Sequence, residues 1–236
     1  MIPKKYTKFY YPGVASCSCH PEGVEQPKDL NEILRFAQND TEPSFHKFPI
    51  LTAPNNEKKV LLHCCCAVCA GDLIESMLNS GIEVTIYYYN PNIFPKGEYD
   101  KRKSESKRFA EKNKIPFIDP EYESELWEKN ISGLECEPER GKRCEVCFSL
   151  RLEKAAEYAS SHGFKVFTTS LSISRFKDIN QIKKCADEAA QKFPGIIFWD
   201  YNWRKKGGQE RMEKISKREN FYRQNYCGCK HSIRNS

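Results

Sequence analysis

The periodic pattern of apolar positions begins at about residue 58. The run KVLLHCC is apolar without alternation and ends in cysteines. From residue 70 to 79 the apolar residues Leu73, Met77 and Leu78 recur at helical spacing until Ser80-Gly81 stops them. This reads as a strand followed by a helix. The alternation continues with a strand over 83–89, a helix over 98–114, a strand over 116–119 and a helix over 123–131. A helix over 145–162 with Gly163 at its C-cap, a strand over 165–169, a helix over 177–192 and a strand over 195–199 follow. Short strands alternating with helices predict an α/β fold, a parallel sheet with helices on both faces. In such sheets the ligand crevice lies beyond the carboxyl ends of the strands. His63-Cys64-Cys65-Cys66 falls at that end of the first strand.

Residues 1–58 behave differently, holding seven of the 13 prolines and one short helical pattern over 29–38. The chain therefore divides into a poorly ordered extension, 1–57, and an α/β catalytic domain with a basic C-terminal segment, 58–236. Nothing near Cys17, Cys19 and His20 completes a ligand set. No stretch approaches the roughly 20 apolar residues a membrane span needs. The opening MIPKKYTKFYYPGVAS lacks the apolar run of a secretory signal, so the expected compartment is the cytoplasm. The net charge is +6, and residues 201–236 carry ten basic and three acidic side chains interleaved with Trp203, Phe221, Tyr222 and Tyr226. That pattern suits a nucleic-acid partner or a solvated helix face.

Twelve cysteines in a reducing compartment point to metal or redox chemistry and not to a disulfide scaffold. Eight fall in three groups: Cys64, Cys65, Cys66 and Cys69; Cys144 and Cys147; Cys227 and Cys229. Two x-x-spaced pairs supply four thiolates, which fits an iron–sulfur cluster or a structural zinc. The surplus thiols in HCCC and the position at the strand end favour a redox metal. Cys69 and Cys144 precede helices, whose dipoles favour thiolates, and Arg143 adds positive charge. Cys227-Gly228-Cys229 suits a strained, easily reduced disulfide, with a ligand pair or surface thiols as the alternatives. Cys136 and Cys185 stand alone and read as small buried residues.

HCCCAVC, taken with ERGKRCEVCFSLRLEKAA, FTTSLSIS and YCGC, resembles the epoxyqueuosine reductases of the QueH family over about residues 58–232. The resemblance implies a HUP-like fold and a cytosolic enzyme that reduces epoxyqueuosine to queuosine at the wobble position of tRNA. It also implies a [4Fe–4S] cluster beside a second metal site, a mononuclear iron, without cobalamin. Carried over by motif, Cys65, Cys66, Cys144 and Cys147 are the cluster ligands and Cys69 serves the adjacent metal. The implied partners are the tRNA anticodon loop and an unidentified electron donor. Val68 stands where the family pattern has proline, and SISRFKD departs from the family's stretch, so no role passes to Ser172, Ser174 or Asp178.

Removing an epoxide oxygen as water takes two electrons, two protons and a Lewis acid. Cys69 with its metal, and Cys227 and Cys229 as a two-electron relay, are the catalytic candidates. A tyrosine, His63 or water would give the proton, although a histidine at a strand end more often orients its neighbours. Basic clusters at 96–114, with eight basic and four acidic residues, and at 204–234 are candidate RNA contacts. Two other readings stand beside this one. A zinc-stabilised RNA-binding module would need no catalysis, and an ATP-dependent tRNA-modifying enzyme would need a glycine-rich phosphate loop where HCCCAVC stands.

Overall fold

The computed structural model describes residues 48–233, so the helical pattern over 29–38 and Cys17, Cys19 and His20 lie outside the described residues. Five strands, β1 (Lys59–His63), β2 (Glu83–Tyr87), β3 (Phe117–Ile118), β4 (Val166–Thr169) and β5 (Ile197–Phe198), form one sheet in the order β3-β2-β1-β4-β5. Every pairing is parallel. The helices are α1 (Ala67–Asn79), α2 (Lys96–Lys112), α3 (Ser124–Asn130), α4 (Lys142–Ser161), α5 (Ile179–Gln191) and α6 (Gly208–Arg218). Helices α1, α2 and α6 pack together, as do α4 and α5, giving three layers with the sheet in the middle. The anticipated α/β architecture is the one observed. No helix among the described residues is long and apolar enough to cross a membrane.

Val60, Leu61 and Leu62 of β1 have no exposed surface, and Ile86, Val166 and Phe167 enclose them from the neighbouring strands. A strand covered on both faces needs an unbroken apolar run, which is why β1 shows no alternation. The order places β1 between β2 and β4, where the chain's connections diverge. That is the topological switch point at which such sheets leave a crevice.

Three boundaries differ from the periodicity in informative ways. Helix α1 begins at Ala67 and α4 at Lys142, so Cys69 and Cys144 are each the third residue of a helix and not residues ahead of one. In α4 the first turn is Lys142, Arg143, Cys144 and Glu145, with no apolar spacing to read, whereas in α1 it is the wholly buried Ala67–Ala70, which continues the preceding apolar run without a helical period. Helix α6 was not expected at all, since its buried side includes only Met212 and Ile215 as large apolar residues. Gly207 holds a left-handed φ of 78° before it, and a Cβ on Gly208 would lie 1.9 Å from the Trp203 carbonyl oxygen.

What fixes α6 is an ion pair. Arg211 donates from Nε to Asp72 Oδ1 at 2.6 Å and from a terminal nitrogen to Oδ2 at 3.2 Å, joining α6 to α1 with both side chains buried. Burial pushes the Asp72 carboxyl above the usual range even against the pull of Arg211. Breaking such a pair on one side leaves a buried charge alone. Arg211→Met is expected to cost about 3–5 kcal/mol in urea unfolding, whereas the double change Asp72→Leu with Arg211→Met recovers most of that loss.

Candidate metal centre

The first strand delivers four functional residues in a row, and a chain of buried hydrogen bonds fixes where they stand. His63 is fully enclosed, with Nε2 3.1 Å from the Tyr89 carbonyl and Nδ1 2.8 Å from the Thr169 hydroxyl. A carbonyl only accepts, so Nε2 carries the hydrogen and Nδ1 accepts from Thr169. Thr169 Oγ1 in turn accepts from the Leu171 amide at 3.2 Å. Burial, helped by the charge of Arg151, lowers the His63 pKa from 6.5 to about 3. The imidazole is neutral and its single N–H is committed, so His63 orients the strand ends and does not supply a proton.

Beyond it the cysteines part. Cys64 sits with its sulfur 3.8 Å from Ser106 on α2, and its carbonyl accepts from Asn90 at 2.9 Å. Burial raises its thiol well above the usual range. Cys65, Cys66 and Cys69 converge instead, their sulfurs all within 4.8 Å of one another. Among the described residues no other group of three potential ligands is so close. Cys65 donates its amide to Ser170 Oγ at 2.9 Å and receives the Ser170 hydroxyl on its sulfur at 3.3 Å. Gln224 donates to the Cys66 sulfur at 3.0 Å. Hydrogen bonds from Cys66 and Cys69, with support from Lys177 and Arg151, hold the Cys65 thiol well below its usual range. The Cys66 thiol rises to about 11 through its contact with the Cys65 sulfur, and that of Cys69 rises well above normal for the same reason. Within the trio Cys65 gives up its proton most readily, which suits the group to a cation.

Geometry permits the same conclusion. Thiolates bound at about 2.3 Å to a tetrahedral ion lie about 3.8 Å apart, and the Cys65 and Cys66 sulfurs are 3.9 Å apart. The three sulfurs are therefore close enough together to ligate one metal ion.

The second and third cysteine groups meet elsewhere. Cys144 and Cys147 in the first turns of α4 line a small cavity together with Cys227 and Cys229, walled by Trp127 and Phe148. Burial is the main reason that the Cys144 and Cys147 thiols are raised, and it lifts Cys229 to about 12. At Cys144 it outweighs the hydrogen bond from the Arg140 amide and the charge of Arg143, whose guanidinium is spent on the carbonyls of Leu134 and Glu135 at 3.3 and 2.6 Å. Three buried donors, Trp127 Nε1, Arg143 Nε and Arg151 Nε, belong to residues lining this cavity and have no hydrogen-bond partner among the described residues. Each such donor costs about 1–3 kcal/mol unless an acceptor fills the space. All four cysteines are free thiols, as are Cys136 and Cys185. Cys185 is buried as expected, its sulfur 3.6 Å from the Glu145 carbonyl, but Cys136 is exposed because it lies in the turn between α3 and α4.

A larger cavity of about 550 Å³ opens over Cys65 and Cys69. It shares Glu139, Arg151, Phe176, Lys177, Cys227 and Ser232 with the small one, so these residues form a common wall. Arg151 is buried, donates to Asn90 Oδ1 and lies 3.9 Å from the Cys147 sulfur, linking the two thiol groups. Its only sequence signal is its spacing, one helical turn after Cys147. Lys177 makes no ion pair with a carboxylate among the described residues. Burial opposes its charge, yet Cys227, Cys65 and Cys69 raise its pKa above the usual lysine value. Ser172, Ser174 and Asp178 do structural work: Ser172 donates to the Thr169 carbonyl, Ser174 accepts from Arg204 on its own carbonyl, and Asp178 caps α5.

The basic clusters are largely consumed internally. Arg102 pairs with Glu98 and holds the Tyr226 and Cys227 carbonyls at 3.2 Å, Lys112 pairs with Glu219, and Arg223 pairs with Glu213. Arg204 and Arg211 are internal as well.

A doubly wound parallel sheet with two thiol groups at its switch point defines an α/β protein with a cysteine cluster suited to a metal. The family model described as epoxyqueuosine reductase QueH matches residues 60–235. Curated relatives of that name include those of Haemophilus influenzae, 58% identical over 218 residues (89% of this chain, 89% of the relative), and Histophilus somni, 55% identical over 188 residues (80% and 77%). That of Acinetobacter baylyi is 54% identical over 186 residues (79% and 85%). The chain belongs to the QueH family.

The buried histidine has a measurable signature. Its folded pKa lies below the unfolded value, so its contribution to stability is fully present above pH 6.5 and falls away as the pH drops toward 3. Between pH 7 and pH 5 the metal-free protein is expected to lose about 2 kcal/mol more than its His63→Gln variant, read from urea midpoints at the two pH values.

Proposed function

We propose that this chain reduces the epoxide of epoxyqueuosine in tRNA to give queuosine. We further propose a four-iron cluster on Cys144, Cys147, Cys227 and Cys229, and a single metal ion on Cys65, Cys66 and Cys69. The observation that carries the reading is the common wall between a compact thiol trio and a separate thiol quartet at the end of the sheet. Sorting by geometry differs from sorting by motif. It groups Cys65 and Cys66 with Cys69, and it makes Cys227 and Cys229 ligands in place of a disulfide relay.

Two features support this division. No three sulfurs of the quartet are as close as those of the trio, and a cubane with iron at its corners spreads its thiolates further than one ion does. The orphaned donors of Trp127, Arg143 and Arg151 suit an anionic, sulfur-bearing occupant. When bound, these groups supply electrons one at a time and a Lewis acid for the epoxide oxygen.

The chain's own residues do the remainder. The larger cavity is of the size that encloses a nucleoside-sized ligand, roughly 300–1,000 Å³. Oxygen leaves as water, consuming two electrons from an external reductant and two protons. His63 is neutral with its hydrogen committed, and the Tyr226 hydroxyl donates to the Phe94 carbonyl. Lys177 remains, an ammonium in the cavity wall, and we assign it as the proton donor at Nζ. The anticodon loop of tRNA is the partner this cavity serves, and the exposed lysines Lys205 and Lys206 are candidate phosphate contacts.

Anaerobically purified protein is expected to be brown, to hold about four irons per chain and to take up a further metal on reconstitution. With a strong reductant it should convert epoxyqueuosine to queuosine in tRNA, as read by mass spectrometry of the nucleosides. Cys147→Ser and the double change Cys227→Ser with Cys229→Ser should each lose most of the visible absorbance, while Cys185→Ser keeps it. A double variant that retains its iron but fails only in multiple turnover would restore the relay.

Lys177→Gln should lower turnover by roughly 100-fold or more without changing iron content or visible spectrum. Lys177→Arg should not restore the rate, because guanidinium keeps its proton throughout the accessible pH range. Full activity in either variant would remove the assignment.

A further inference from the structure

An exposed aromatic ring stands on the wall shared by the two cavities. Phe176 is 68% exposed and lines both, in a segment between the turn Ser170–Ile173 and α5. Exposed apolar rings on loops are ordinarily free to fold back, but this backbone is fastened with unusual completeness. Six consecutive carbonyls, from residue 172 to 177, each accept a side-chain hydrogen bond. Arg204 serves Ser172 at 2.8 Å, Ser174 and Lys177 at 2.8 Å; Gln209 serves Ile173. Arg140 serves Arg175 at 3.3 Å and Phe176 at 3.1 Å. Arg140 is itself held, its carbonyl accepting from Gln181 at 3.1 Å.

Such a segment is pre-organised: its conformation is fixed before anything binds, so little ordering entropy remains to be lost. The ring it presents has a cation on one side, with the Arg175 guanidinium 5.1 Å from its centroid. The exposure shows that the rest of the ring meets solvent. Neighbouring Lys177 brings positive charge to the same wall. A rigid aromatic surface flanked by cations at the mouth of a nucleoside-sized cavity matches what recognises an unpaired nucleobase next to a phosphate backbone. An acidic peptide would use the cations but leave the open ring face without a role.

We infer that Phe176 is a stacking platform for the unpaired nucleobase adjacent to the nucleotide held in the cavity, with Arg175 placed for its phosphate. This rests on the functional reading above, which supplies RNA as the substrate class. The platform explains how a loop can be held while one nucleotide is drawn past it: stacking replaces the neighbour that the extracted base leaves behind.

The test uses the reconstituted holoprotein and an anticodon stem-loop carrying 5-iodouridine beside the wobble nucleotide. Affinity is read by fluorescence anisotropy, and photocrosslinks are mapped by peptide mass spectrometry. Wild-type protein should crosslink at residue 176. Phe176→Leu, which keeps an apolar side chain without a π face, should lose that crosslink and bind five-fold or more weakly. Phe176→Trp should restore both. Because the ring is exposed and the backbone is held by other residues, both variants should retain the wild-type iron content and visible spectrum. Binding by Phe176→Leu equal to wild type, with the crosslink mapped elsewhere, would overturn the stacking role alone. A wild-type protein that binds no stem-loop would overturn the functional reading and the platform with it.

Discussion

Everything at the site hangs from one uncharged imidazole. His63 is the last residue of β1, and its two nitrogens reach the segment after β2 through Tyr89 and the end of β4 through Thr169. The three strands on which the crevice depends are therefore clamped together at their carboxyl ends, one residue before the cysteines begin. In the neutral ring Nε2 donates to the Tyr89 carbonyl while Nδ1 accepts from the Thr169 hydroxyl. Burial enforces that state, holding the pKa at about 3. A phenylalanine would fill the volume but leave the buried Tyr89 carbonyl without its donor and the Thr169 hydroxyl hydrogen without its acceptor, each costing about 1–3 kcal/mol.

From that fixed end the cysteines are sorted by what they face. Cys64 faces α2 and Ser106, whereas Cys65 and Cys69 line the cavity and Cys66 stands beside them with its sulfur on Gln224. Sulfur anions in a buried place need compensation, and the fold supplies it with residues from two different elements. Arg151 comes from α4 and Lys177 from the segment before α5, and both stand in the wall between the two thiol groups. Their charge favours the thiolate forms that metals require.

The sheet was readable from the chain because its strands are buried on both faces and its helices are long enough to show a period. The position of HCCC at a strand end was readable for the same reason. Helix α6 was hidden, because what holds it is Arg211 against Asp72, 139 residues apart, and not an apolar stripe. The sorting of the thiols was hidden too. Spacing shows that Cys144 and Cys147 lie on one side of a helix, but it cannot show that Cys227 and Cys229 join them, or that Cys65 and Cys66 stay with Cys69. Positive charge misled in another way. Arg102, Arg204 and Arg211 count as cations in the composition, yet each is spent on carbonyls or a carboxylate inside the fold. Only coordinates separate such arginines from those left for a phosphate.

The segment carrying Cys227 and Cys229 illustrates how the two halves of the structure depend on each other. Its backbone is fixed by Phe94, whose amide donates to the Gly228 carbonyl at 2.8 Å, and by Arg102, which reaches it across 125 residues of sequence. Gly228 adopts a φ of 112°, and a Cβ there would lie 2.9 Å from Ile93 and 3.0 Å from Arg102, so no other residue fits the turn. Few apolar contacts secure this stretch; polar contacts to loops do most of it. Under the quartet assignment, a bound group would tie it to the first turns of α4, closing the long stretch of chain between Cys147 and Cys227. Closing a long loop through a metal converts binding free energy into folding free energy. The apolar sheet needs no such help. Metal occupancy would then govern the order of the site and not the survival of the fold, which lets an iron centre be built, lost and rebuilt on a scaffold that stays intact.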